Sequence, residues 1–85
     1  MKLKILYFAS VREKVGKDAE EIDVPAGVAT VAALRSHLRG RGGNYENAFA
    51  ERSLLRAAVN QDMAQPSARI KAGDEVAFFP PVTGG

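Results

Sequence analysis

The sequence predicts an α+β domain in which helices pack against one face of a mixed β-sheet. Three observations lead to this prediction: segments near both ends alternate apolar and polar residues, a helical stripe lies between them, and the chain has 85 residues. A chain of this length forms one domain, and its composition, 46% hydrophobic and 26% charged, is enough for a real core. The sequence contains no internal repeat and no domain boundary.

The first predicted strand covers residues 2–9 and leads into a short helix. Alternation places four of its side chains in the core: Leu3, Ile5, Tyr7 and Ala9. Leu6 and Phe8 then share the outer face with the lysines of the same strand. Ser10 and the glutamate three residues later have the form of a capping box, and Gly16 can close the helix.

The middle of the chain predicts a second strand, the main helix and a second short helix. Residues 20–24 alternate, and Thr30 is a good N-cap for an amphipathic helix that ends at Arg39. The run at residues 40–43 lacks the strand, lysine and spacing of a phosphate-binding loop, so we interpret it as a linker. A short helix that carries Phe49 on its apolar side follows.

The C-terminal part of the chain predicts two further strands and a brief pairing. They are a strand at residues 55–60, a loop at 60–67, a weak strand at 68–70 and a last strand at 75–79. Val76 and Phe78 face the core in the last strand, and Ala77 and Phe79 face outward. Pro80 and Pro81 end it.

Composition excludes most self-contained catalytic chemistry. The chain has no cysteine and a single histidine, His37, so thiolate zinc sites, cysteine nucleophiles and multi-histidine metal sites are excluded. Glu20 and Glu21 point to opposite faces of a strand and cannot form a general acid/base pair. We therefore expect neither a metal site nor a permanently bound cofactor.

Charge and hydropathy exclude two classes of partner. The net charge is only +2 with the signs interspersed, whereas nucleic-acid binding needs clustered basic residues. No segment is apolar enough to span a membrane, and the N-terminal apolar run is too short for a signal peptide. We expect a cytoplasmic protein that binds neither nucleic acid nor membrane.

The C-terminal segment predicts a reactive tail of residues 82–85 beyond a domain of residues 1–81. The two prolines favour an extended path away from the sheet, and the four residues after them can reach about 13 Å. The α-carboxylate of Gly85 is a poor acyl donor until an ATP-dependent partner converts it to an acyl adenylate. A sulfur donor can then displace AMP and leave a thiocarboxylate, so the chain would act as a carrier rather than an enzyme.

The second functional feature is an outward apolar set made of Leu6, Phe8, Ala77 and Phe79. Met63, in the loop predicted at residues 60–67, can join this set. A contiguous apolar patch marks an interaction site. The alternative is a sheet covered on both faces, which would bury these residues in the core.

Three segments, residues 4–13, 58–61 and 73–85, resemble the small subunits of molybdopterin synthase, within the ubiquitin-like sulfur-carrier family. The C-terminal segment, residues 73–85, is the specific part of the resemblance, which covers essentially the whole chain. It implies a β-grasp fold, with about five strands packed on one main helix and with the first and last strands parallel neighbours.

The resemblance also implies partners and site residues. A ubiquitin-activating-type enzyme would use ATP and Mg²⁺ to adenylate Gly85, a persulfide donor would supply sulfur, and the large catalytic synthase subunit would accept the tail in a heterotetramer. The tail residues are Val82, Thr83, Gly84 and Gly85. The predicted interface residues are Leu6, Phe8, Arg12, Met63, Ala77, Phe79, Pro80 and Pro81.

Four alternatives stay open at this point. Thiamine sulfur carriers share the Gly-Gly end, a protein modifier would use Gly85 for isopeptide bonds, and an interaction module would use the apolar face with an inert tail. Arg12 either pairs with an acidic group on a partner or is a solvated arginine on the face of a helix.

Overall fold

The computed structural model describes residues 1–81, which form a five-stranded sheet with three helices on one face. The strands are β1 (Lys2–Tyr7), β2 (Ala19–Asp23), β3 (Arg56–Val59), β4 (Asp62–Ala64) and β5 (Glu75–Phe79). The helices are α1 (Ala9–Val15), α2 (Val31–Arg39) and α3 (Asn44–Ala48). The sheet order is β2-β1-β5-β3-β4, with β1 and β5 parallel at the centre and the other pairs antiparallel.

The core lies between the helices and the inner face of the sheet. The predicted inward residues of β1 and β5 are buried there: Leu3, Ile5, Tyr7, Val76 and Phe78. Phe49, which follows α3, contacts the rings of Tyr7 and Phe78 edge-on at centroid distances of 6.2 and 5.1 Å. This aromatic packing joins the end of α3 to the two central strands.

The transition from β1 to α1 differs from the prediction by two residues. Ala9 is exposed and begins α1 with a φ of 52°, so its predicted place in the core is wrong. Phe8 occupies the N-cap position, and Ser10 lies inside the helix without capping it. The chain leaves the sheet early because the Phe8 carbonyl already accepts hydrogen bonds from helical N–H groups. The helix ends at Gly16 as predicted, with a φ of 84°.

The main helix α2 begins as the sequence predicts. The Thr30 hydroxyl oxygen accepts a hydrogen bond from the backbone N–H of Ala33 at 3.1 Å. The stripe that packs into the core consists of Val31, Leu34 and Leu38. The weak strand predicted at residues 68–70 forms a single bridge, between Arg69 and Thr30, which fixes the start of this helix.

The segment after β3, predicted as a loop, contains the edge strand β4. Asn60 and Gln61 adopt φ values of 50° and 73°, which is the left-handed backbone of a tight hairpin turn. The chain then returns along β3, so that Met63 lies opposite Ala58 in a strand rather than in a loop. The prediction missed β4 because asparagine and proline in this segment are equally typical of a loop.

Asp74 is the one buried charged residue of the described chain, and it connects this hairpin turn to β5. Its carboxylate accepts hydrogen bonds from the side-chain amide of Asn60 at 3.0 Å and from the backbone N–H of Lys71 at 2.8 Å. Burial alone would raise the pKa of Asp74, but these hydrogen bonds lower it below its usual value. The carboxylate therefore stays ionised and holds two loops together.

We expect Asp74→Ala to lower the free energy of unfolding by about 2 kcal/mol, because it leaves buried donors without an acceptor. The exposed Asp62 is a matched control, and Asp62→Ala should change stability by less than about 0.5 kcal/mol. Urea unfolding of both variants measures the difference. Equal losses would show that the Asp74 hydrogen bonds contribute nothing specific.

Candidate partner-binding face and tail exit

A row of apolar side chains crosses the outer face of the sheet, the face opposite the helices. The strand register places Leu6 between Ala19 and Ala77, Ala77 beside Ala58, and Ala58 beside Met63. Directly paired residues project on the same side of a sheet, so the row contains one residue from each of the five strands. We call these residues, together with Phe8 and Phe79, the outer apolar face.

Charged residues border this face on one side, and the C-terminal end of β5 borders it on the other. Lys4 pairs with Glu75 in the next row of the sheet, whereas Phe79 pairs with Arg56 in the row nearest the chain exit. Phe8 donates a backbone hydrogen bond of 3.2 Å to a β5 carbonyl, so it lies beside the end of β5. The outer apolar face is therefore contiguous with the end of β5.

Exposure varies across the face. Phe8 is 47% exposed and Met63 is 62% exposed, while Leu6 and Phe79 are half-buried. Ala77 is on the predicted face but only 9% exposed, because its strand lies at the sheet centre between β1 and β3. Ala77 is thus part of the floor of the face rather than one of its protruding side chains.

Within residues 1–81 no helix covers this face, contrary to the alternative that both faces of the sheet are covered.

The remaining predicted site residues divide into two groups. Pro80 and Pro81 are half-buried at the end of β5, and Arg12 lies on α1, where its side chain is 54% exposed and 3.7 Å from Asp18. The tail predictions, Val82, Thr83, Gly84 and Gly85, lie outside the described residues. The roles of both groups stay predictions.

The sequence did not reveal a polar cluster around Glu20, on the inner side of β2. One carboxylate oxygen accepts hydrogen bonds from the hydroxyls of Tyr7 and Tyr45 at 2.8 and 2.6 Å. The other accepts from Arg41 at 3.2 Å and Lys17 at 3.3 Å. No local pattern could show this cluster, because Tyr45 is 25 residues away from Glu20 along the chain.

Hydrogen bonding determines the charge state of this cluster. Partial burial would raise the pKa of Glu20, but the bonds from Tyr45, Tyr7 and Arg41 lower it to about 2. Burial and the neighbouring carboxylate raise the pKa of Tyr7. The Arg41 guanidinium also lies 4.3 Å from the centre of the Tyr45 ring. Arg41, in the segment interpreted as a linker, therefore contacts both Glu20 of β2 and Tyr45 of α3.

Residues 1–81 contain neither a metal-binding group of side chains nor a membrane-spanning helix. No group of three or more histidine, cysteine, aspartate or glutamate side chains there could hold a metal ion. The longest helix in this part of the chain, α2, has nine residues, and none is long and apolar enough to cross a membrane.

The sequence profile of the ThiS family matches residues 5–85. The chain belongs to the ThiS family. Within it, the chain is 49% identical over 83 residues to the molybdopterin synthase sulfur carrier subunit of Escherichia coli, covering 98% of this chain and 99% of that protein. It is 43% identical over 83 residues to the protein of the same name from Haemophilus influenzae, again covering 98% and 99%.

Solved structures similar to this ThiS-family chain confirm the β-grasp, ubiquitin-like fold. A putative molybdopterin converting factor, subunit 1, from Pyrococcus furiosus has a TM-score of 0.80 and 34% identity, covering 96% of this chain and 99% of that one. The small archaeal modifier protein 1 of Haloferax volcanii has a TM-score of 0.75 and 28% identity, with coverages of 95% and 98%.

Proposed function

We propose that this chain is the sulfur carrier of molybdenum cofactor biosynthesis and the small subunit of a molybdopterin synthase. The observation that carries the proposal is full-length identity of 49% and 43% to two relatives named for that role. The outer apolar face supports it, since a carrier needs a docking surface beside its reactive end. The chain itself supplies no catalytic side chain in this proposal.

The proposed chemistry takes place at the Gly85 carboxylate. A ubiquitin-activating-type enzyme transfers AMP from ATP, with Mg²⁺, to form an acyl adenylate, and pyrophosphate leaves. The terminal sulfur of a persulfide donor attacks the acyl carbon and displaces AMP. A thiol then cleaves the sulfur–sulfur bond, which oxidises that thiol and the donor to a disulfide and frees a thiocarboxylate on Gly85.

The proposed acceptor is the pterin precursor held in a large catalytic subunit, where two such transfers form the dithiolene. The outer apolar face would dock on that subunit and direct residues 82–85 into its active site. The assembly would be a cytoplasmic heterotetramer in which two carriers flank a dimer of large subunits. Glycine at the last two positions has no side chain to obstruct a narrow channel.

Intact-mass analysis tests the carrier chemistry. After incubation with the adenylating enzyme, ATP, Mg²⁺ and a persulfide donor, we expect the mass to increase by the difference between one sulfur and one oxygen. Fragmentation should place this change on the C-terminal peptide. An unchanged mass, or a change elsewhere in the chain, would contradict the proposal.

We expect Phe8→Ser to weaken binding to the large subunit about tenfold, because it removes a half-exposed aromatic from the outer apolar face. The matched control is Glu46→Ser on the exposed side of α3, which should leave the affinity unchanged. Calorimetric titration of both variants measures the effect. Equal affinities for the wild type and Phe8→Ser would place the docking surface elsewhere.

Protein modification is the second candidate function, favoured by the structural similarity to small archaeal modifier protein 1. In that case the activated Gly85 forms isopeptide bonds with lysines of other proteins. Proteolysis would then leave branched Gly-Gly remnants on target lysines. Such remnants without any thiocarboxylate would favour the modifier over the sulfur carrier.

A further inference from the structure

The excess positive charge of the chain is concentrated in one stretch. Residues 31–57 contain five arginines and two glutamates, whereas the rest of the chain contains seven basic and eight acidic side chains. This stretch covers α2, α3, the loop that leads into β3 and the first two residues of β3. The outer apolar face lies on the other side of the sheet from these helices.

A groove of about 740 Å³ opens between α2, the loop before β3, and the β3–β4 hairpin. Its polar lining consists mainly of three arginines, Arg35, Arg39 and Arg56, with one acidic residue, Glu51. Leu54 and Met63 supply its large exposed apolar side chains. The groove therefore combines a positive lining with an apolar rim.

Arg35 is a cation of the groove that has no carboxylate partner within residues 1–81. It is half-buried, and its Nη2 atom donates to the carbonyl oxygens of Ala50 and Ser53 at 2.7 and 2.8 Å. Among residues 1–81 no carboxylate lies within ion-pair distance of its guanidinium, while Glu51 pairs with Arg39 at 3.2 Å. A guanidinium has five N–H donors, so Arg35 retains donors for an anionic ligand.

Two exposed hydrophobic side chains lie beside this cation. Leu54 is 78% exposed, the most of any large apolar residue described, and Met63 on the hairpin is 62% exposed. Isolated exposed hydrophobes mean little, but both belong to the same groove. A ligand that fits must cover apolar surface and carry negative charge.

We propose that this groove is a docking site for a segment of a partner protein that presents carboxylates flanked by apolar side chains. The carboxylates would pair with Arg35 and Arg56, and the apolar side chains would cover Leu54 and Met63. Charge complementarity disfavours a second copy of this chain, whose corresponding surface is also positive. The site shares Met63 with the outer apolar face, but its other binding residues lie on α2, in the loop before β3 and at the start of β3. It stands whether or not the chain carries sulfur.

The direct test uses two fluorescein-labelled peptides, one of alternating leucine and glutamate and one with glutamine in place of every glutamate. Fluorescence anisotropy with the full chain should show that the glutamate peptide binds about tenfold more tightly. Amide chemical shifts should change at Ser53, Leu54 and Arg56. Changes confined to the outer apolar face, or equal binding of the two peptides, would overturn the proposal.

Variants define the site more sharply. Leu54→Ser should weaken binding of the glutamate peptide about fivefold, and Arg56→Gln about threefold. Arg52→Gln is the matched control, since Arg52 is exposed on the same loop but does not line the groove. Equal losses for Arg52→Gln and Arg56→Gln would indicate nonspecific attraction and overturn the proposal.

Two further measurements distinguish other occupants. Sedimentation that shows a dimer dispersed by Leu54→Ser would assign the groove to a second copy instead. Removal of residues 82–85 should leave peptide affinity unchanged. An affinity gain of about tenfold on that truncation would show that the chain's own C-terminal segment occupies the groove, which contradicts a partner site.

Discussion

Deletion of Gly85 is expected to abolish charging with sulfur while leaving the domain folded. The deletion moves the α-carboxylate to Gly84 and shortens a reach that is about 13 Å over four residues. An adenylating site that positions the terminal carboxylate cannot accommodate a shift of one residue, because misplacement by a few ångströms removes the reacting geometry. Intact-mass analysis after incubation with the activating partners should therefore show no sulfur on the shortened chain.

Two measurements separate loss of chemistry from loss of structure. The buried cluster runs from Leu3 to Phe78, so the shortened chain should unfold at the same temperature as the full one. Gly85→Ala keeps the length and the carboxylate, and it should retain some charging. A large fall in the melting temperature on deletion would mean that the tail is structural, and full charging of the shortened chain would mean that Gly85 is not the acceptor.

The Glu20 cluster should make stability depend on pH in the acid range. A native pKa of about 2 against an ordinary value of 4.5 corresponds to about 2–3 kcal/mol of folding free energy once solvent screening of this partly buried carboxylate is included. Because the native pKa is lowered, this stabilisation is present above about pH 5 and is lost as the pH falls towards 2. Chemical denaturation at several pH values measures the loss.

Glu20→Gln should remove most of this dependence and should lower stability at neutral pH by about 2–3 kcal/mol. Glu21→Gln is the matched control, because Glu21 is the neighbouring acid on the opposite, exposed side of β2. Other carboxylates, including Asp74, contribute equally to both variants. Parallel pH curves for Glu20→Gln and Glu21→Gln would show that the cluster does not stabilise the fold.

Patterns of period two and 3.6 were enough to predict most of the fold. The inward residues of β1 and the stripe of α2 are buried as predicted. Alternation in a strand and helical spacing in a helix indicate directly which side of the element faces the core. The exposed Phe8 followed from the same alternation. The parallel pairing of β1 with β5, the first and last strands of the chain, was predicted from the family resemblance alone, since the order of strand pairing leaves no local pattern in the sequence.

Features that depend on distant contacts were not predictable. Met63 was assigned to a loop because a three-residue edge strand is defined by its partner, not by its own sequence. Glu20 had no visible partner, since its tyrosines approach only after folding. Leu54 is exposed although the next residue, Leu55, packs against the core. The bond from Arg35 of α2 to the Ser53 carbonyl holds this loop, and no local pattern shows that contact.

The position of β5 has a consequence for synthesis of the protein on the ribosome. Until residues 75–79 have emerged, the remaining strands can form only two separate antiparallel pairs, β1–β2 and β3–β4, with no strand between them. A single hairpin is marginally stable at best in water. We therefore expect a polypeptide that terminates before β5 to lack a continuous sheet and to be more open to proteolysis than the full chain. The complete five-stranded sheet can form only after the chain has been synthesised at least to Phe79.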